Sequence, residues 1–229
     1  MPDMKKLFLA LTLVVVFTAC KENPDASTGH TAAPATATGS LSHLLEGNDR
    51  FTQFKPVHPD ESRERRKAVS KEQHPEAVVV TCSDSRVPPE LVFDQGLGDL
   101  FVIRTAGNIM GDLEMGSIEY AVEHLHVPLV VVMGHERCGA IQAYFEGGAA
   151  PGHIKSIVDS IASEEEIKSL RKSGDELLDH FVRANVQHGV KQLIGSSSII
   201  REKIAAGTLK VVGAYEDLDN GKVTILSGN

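Results

Sequence analysis

Short unbroken apolar runs alternate along this chain with longer segments of helical spacing. Ala77, Val78, Val79, Val80 and Thr81 form a β-branched run of the kind that suits a strand buried on both faces. Residues 100–103 make a second run, and residues 129–133, introduced by Pro128, a third. Residues 209–215 and 223–226 read as two more strands, with Asp219, Asn220 and Gly221 between them as a hairpin signal. Residues 118–125 predict a helix between the second and third strands. The stretch 151–206 is mostly helical, broken at Gly174 and Gly195. Leu41, Leu44, Leu45, Phe51 and Phe54 predict an amphipathic helix, with Gly47 and Asn48 as a weak point. Residues 61–72 are highly charged and read as a solvated helix face. Strands alternating with helices predict an α/β domain: a central, mostly parallel β-sheet flanked by helices.

Ahead of the domain the pattern is different. Lys5 and Lys6 precede an apolar run over residues 7–17, followed by Thr18, Ala19 and Cys20. A short basic region, an apolar core and a small-residue end describe a secretory signal over residues 1–19. The run is too short to span a membrane, which takes about 20 apolar residues. Its ending resembles the lipobox of bacterial lipoproteins, in which the cysteine carries the lipid. Phe17 stands where that motif usually has leucine. Cys20 is therefore the expected lipid attachment point. Residues 20–40, rich in Ala, Thr, Pro, Ser and Gly, are the expected linker, and residues 41–229 the folded domain. The expected location is the periplasm, with membrane contact only through the lipid anchor. Lys21 follows the cysteine where an aspartate would signal inner-membrane retention, which favours the outer membrane.

Composition narrows the possible functions. The 229 residues carry a net charge of −8, so there is no basic stripe for nucleic acid. Three cysteines exclude a disulfide scaffold. Tryptophan is absent.

The chemistry gathers at two strand ends. The first strand runs into Cys82, Ser83, Asp84, Ser85 and Arg86, and the third into Gly134, His135, Glu136, Arg137 and Cys138. Ligands usually bind at the carboxyl ends of strands in open parallel sheets. Two cysteines and a histidine can hold zinc with a fourth position open, as a catalytic site requires. A Cys82–Cys138 disulfide is the competing reading outside the cytoplasm, and spacing alone leaves the two open. Asp84 with Arg86 is either a local ion pair or, beside a metal, an oriented hydrogen-bond acceptor.

These two motifs resemble those of the β-class carbonic anhydrases. So do Val87 to Glu90, Phe93 with Asp94, Gly98 to Arg104, Ala106 to Asn108, Gly116 to Ala121 and the ending from Gly207 to Val223. The resemblance runs from about Leu41 to Leu226. It implies the β-carbonic anhydrase fold, reversible hydration of carbon dioxide to bicarbonate and a proton, and one zinc ion per chain on Cys82, His135 and Cys138. Asp84 and Arg86 are then the catalytic dyad. Gln73, Phe101 and Tyr120 match residues lining the substrate pocket, the last two across a dimer interface. A homodimer or a multiple of dimers is expected. Val79 stands where members whose aspartate swings onto the zinc have a tryptophan, and Gln73 matches a residue of the form that stays open. The open-site subtype is therefore expected. Glu216 departs from the pattern, since relatives often have an aromatic residue there.

Two other functions remain at this level. One keeps fold and zinc but hydrolyses carbonyl sulfide or carbon disulfide. The other is a non-catalytic, lipid-anchored binding protein with Cys82 and Cys138 disulfide-bonded. That reading leaves the Asp84 and Arg86 pair without a use.

Overall fold

The computed structural model describes residues 36–147 and 149–228. The expected signal segment, Cys20 and the linker up to residue 35 lie outside the described residues. Of the rest of the expected linker, Thr36 is a helix cap and residues 37–40 are helix. Helix α1 spans Ala37–Thr52 and begins four residues before the expected domain start. The Thr36 hydroxyl accepts a hydrogen bond from Gly39 N at 3.1 Å, an N-cap that residues typical of linkers also provide. Helix α2 (Arg63–Ala68) exposes its charges as expected, apart from Arg65, which reaches Asp99 at 2.7 Å.

Strand β1 (Ala77–Cys82) is buried along its length and is followed by the short helix α3 (Pro89–Val92). Strand β2 (Leu100–Thr105) leads through a 3-10 turn, Ala106–Asn108, into helix α4 (Asp112–His124). Strand β3 (Leu129–His135), also wholly buried, passes into helix α5 (Gly139–Glu146). Helices α6 (Ile154–Ser163), α7 (Glu165–Ser173), α8 (Leu178–Ser196) and α9 (Ser198–Ala205) follow, then the hairpin of β4 (Lys210–Glu216) and β5 (Val223–Gly228). Gly174 ends α7 in a left-handed conformation, as expected. Gly195 does not end a helix, because it lies inside α8. The break falls at Ser197, whose hydroxyl caps Ile200 N at 3.2 Å.

The sheet order is β2-β1-β3-β4-β5, parallel throughout except for the antiparallel β5. The chain leaves β1 for one side and returns on the other, so the carboxyl ends of β1 and β3 flank the topological switch point. One face of the sheet buries Val78, Val80, Val130 and Val132 against α4, α8 and α9. The other buries Val79, Val131 and Met133 against α1 and α3. The expected weak point in α1 is instead its docking site. A β-carbon at Gly47 would lie 1.8 Å from the Phe93 carbonyl oxygen. The Asn48 amide nitrogen donates to Val92 O at 3.1 Å and Gly221 O at 2.8 Å, while its oxygen accepts from Val223 N at 2.9 Å.

Candidate active site

Cys82 closes β1 and His135 closes β3, so the switch point brings both into one crevice, and Cys138 caps the first turn of α5 beside them. One ligand atom from each of Cys82, His135 and Cys138 lies within 4.8 Å of the others, and all three residues are buried. The two sulfurs are 4.0 Å apart. That is about twice a disulfide bond length, and both cysteines are free, so the disulfide read from spacing is not formed. Two thiolates on a tetrahedral zinc at about 2.3 Å each would stand about 3.8 Å apart.

His135 is prepared as the third ligand. Its Nδ1 lies 2.9 Å from the Glu136 carbonyl oxygen, an acceptor, so the proton belongs on Nδ1. That leaves Nε2 as a bare lone pair, buried and without a hydrogen-bond partner. A buried polar atom left unpaired costs about 1–3 kcal/mol. Two thiols and an unpaired imidazole nitrogen form the donor set that suits zinc.

Backbone groups tune the sulfurs. Gly107 N donates to Cys82 Sγ at 3.3 Å from a left-handed conformation, φ 71°, where a β-carbon would meet that of Ala140 at 3.0 Å. Asn185 on α8 holds the Gly107 carbonyl at 2.9 Å. A hydrogen bond from Cys138, opposed by burial and aided by Gly107 N, brings Cys82 down to about 4. The same bond, reinforced by burial, pushes Cys138 up.

Asp84 reaches toward the ligands, with Oδ2 3.9 Å from His135 Nε2. Arg86 grips both its oxygens, Nε to Oδ1 at 2.9 Å and Nη2 to Oδ2 at 2.7 Å. That hydrogen bonding holds the Asp84 carboxyl well below the usual range. Arg104 on β2 donates to the carbonyls of Cys82 and Asp84 and so fixes the loop itself. Glu216, beside His135 in the β3–β4 register, is buried; burial raises its carboxyl to about 8, and Oε2 has no partner.

The other expected pocket residues are not brought here by the same chain. Gln73 is exposed before the amino end of β1, the far end from Cys82. Phe101 pairs with Val78 while Cys82 pairs with Thr105, about 13 Å away along the strands. Tyr120, on α4, is half exposed, and its ring lies 6.3 Å from that of Phe101. Sequence reasoning gave no role to Gly107, Arg104 or Asn185. Each supports the ligands from a distant segment, and only the alanine, glycine and asparagine run at residues 106–108 hinted at one.

Comparison with known proteins agrees with the crevice. The family model described as carbonic anhydrase matches residues 77–223. The chain is 41% identical over 186 residues to carbonic anhydrase 2 of Mycobacterium tuberculosis, covering 80% of this chain and 89% of that one. It is 43% identical over 188 residues to a carbonic anhydrase of Mycolicibacterium smegmatis, covering 80% and 90%. Among solved structures, a tetrameric β-carbonic anhydrase of the ascomycete Sordaria macrospora superposes with a TM-score of 0.67 at 26% identity. That match covers 83% of this chain and 98% of the fungal one.

Proposed function

The chain belongs to the β-class carbonic anhydrases, and from that premise we propose that Cys82, His135 and Cys138 hold its zinc and that Asp84 with Arg86 directs the chemistry beside it. The reaction is the reversible hydration of carbon dioxide to bicarbonate and a proton. The carrying observation is the buried His135 Nε2, unpaired and facing two sulfurs 4.0 Å apart. Zinc at this position supplies the Lewis acidity that makes water a nucleophile near neutral pH. Asp84, kept ionised by Arg86, would accept the O–H of the nucleophilic water and so turn a lone pair of that water oxygen toward the carbon of the substrate.

The open-site form fits the same geometry. Both Asp84 oxygens are occupied by Arg86, and Val79 fills the position of the tryptophan found in the other form. Gln73, Phe101 and Tyr120 line the pocket from a second copy, which makes the enzyme a dimer or a multiple of dimers. The signal-like sequence of residues 1–19 and Cys20 supports a lipid anchor in the periplasm, and Lys21 favours the outer membrane.

The test is zinc content measured alongside carbon dioxide hydration. The protein should carry about one zinc per chain. Cys82→Ser should lose both the metal and the activity. An active protein with Cys82 and Cys138 joined in a disulfide would sink the zinc assignment.

A further inference from the structure

Arg137 stands between two of the metal-site residues, His135 and Cys138, and the mechanism above gives it nothing to do. Its backbone is left-handed, with φ 52°, a conformation uncommon for a residue with a β-carbon. Its guanidinium forks onto Asp219 of the β4–β5 turn, Nη2 to Oδ1 at 2.6 Å and Nη1 to Oδ2 at 3.2 Å. Nη1 also donates to Glu136 Oε1 at 3.0 Å. Carboxylate oxygens of Glu136, Asp217 and Asp219 gather within 4.8 Å of one another, and the guanidinium supplies the positive charge among them. The turn is stitched to the ligand loop twice more: Leu218 N donates to Glu136 Oε2 at 3.2 Å, and Glu136 N donates to Glu216 O at 2.8 Å.

The left-handed turn swings the Arg137 carbonyl toward the dyad. It accepts from Arg86 Nη2 at 3.3 Å, the same nitrogen that holds Asp84 Oδ2. Among the described residues this carbonyl is the one hydrogen-bond partner of the Arg86 side chain besides Asp84. An exposed ion pair ordinarily contributes little, and Arg137 and Asp219 are 48% and 72% exposed. What sets this pair apart is its place: it holds a strained turn whose carbonyl anchors a catalytic arginine.

The geometry points to Arg137 and Asp219 as positioning residues of the reaction: Asp219 holds Arg137 in the left-handed turn, and its carbonyl holds Arg86 against Asp84. This inference rests on the reading of Asp84 and Arg86 given above. The test uses the zinc-loaded full chain. Asp219→Asn should lower kcat about fivefold at unchanged KM and zinc content, and Asp219→Glu should restore most of the rate. In a double-mutant cycle, Asp219→Asn should cost nothing further once Asp84→Asn is present, because both act through one contact. If Asp84→Asn is slow while Asp219→Asn runs at the normal rate, or if the two losses multiply, the clamp is wrong and the dyad stands. A normal rate in Asp84→Asn overturns both.

Discussion

At the scale of single residues, one hydrogen bond decides what His135 can do. By placing the proton on Nδ1, the Glu136 carbonyl leaves Nε2 unpaired in a buried crevice, where a metal is the natural partner. The dyad works in a similar way. Arg86 fixes both oxygens of Asp84, which ionises the carboxyl and sets its angle. Asp84→Asn should therefore keep its zinc and lose about a hundredfold in kcat, the scale of a removed orienting or acid–base group. Arg86→Ala should resemble it. Parallel metal analysis and stopped-flow hydration assays check this, and near-normal rates in both variants would reduce the pair to a surface ion pair. The grouping of Cys82, His135 and Cys138 and the pairing of Asp84 with Arg86 were legible in the sequence because their chemistry is unusual for strand ends. Gly107 and Asn185 were not, because a glycine and an asparagine acquire their roles only once distant segments meet at Cys82.

At the scale of elements, the strands were legible because a buried parallel strand needs an unbroken β-branched run, and little else in the chain looks like one. The start of α1 was not. Thr36, Gly39 and Ser40 have a linker's composition, and only packing makes them a helix end. Gly47 was misjudged for the same reason, since its missing side chain lets α1 approach the Phe93 carbonyl. Gly47→Ala, favourable for an isolated helix, should destabilise this protein by about 1–3 kcal/mol through that clash, as chemical denaturation would show. The junction of α6 and α7 allows a pH prediction. Glu164 is 2% exposed with Oε2 unpaired. Burial, with the charge of Glu166 added, raises its carboxyl to about 9, from about 4.5 in the unfolded chain. Lys191 and His188 hold Glu166 itself ionised. Between those two pH values the folded chain keeps a proton on Glu164 that the unfolded chain has released. Stability from this group is thus full below about pH 4.5 and is lost as pH rises to about 9. Glu164→Gln should match the wild type near pH 4.5 and become progressively more stable than it toward pH 9. Melting curves of both proteins across that range decide it. A constant difference between them would show that Glu164 ionises normally.

At the scale of the whole molecule, the sheet itself separates the expected pocket residues from the candidate metal ligands. Cys82 and His135 sit at the carboxyl ends of their strands, while Gln73 lies beyond the amino end of β1 and Phe101 near the amino end of β2. A β-strand is stiff, so no local motion within one chain closes a gap of about 13 Å. If these residues line the pocket, a second copy must present them, and a two-fold axis would then give each dimer two composite sites. Mixing two impaired chains tests this. One chain carries Asp84→Asn and keeps its own Gln73 and Phe101. The other keeps Asp84 but carries Gln73→Ala and Phe101→Ala. Each homodimer should be slow, because every site lacks one necessary part. After dissociation and reassembly at equal amounts, about half the dimers should be mixed, and each of these holds one site with every native group, giving about a quarter of the wild-type rate. Zinc content should stay the same throughout, since neither chain alters Cys82, His135 or Cys138. Recovery of that size is possible only if the pocket crosses between chains. Mixed dimers no faster than the average of their parents would mean that Gln73 and Phe101 act within their own chain or not at all.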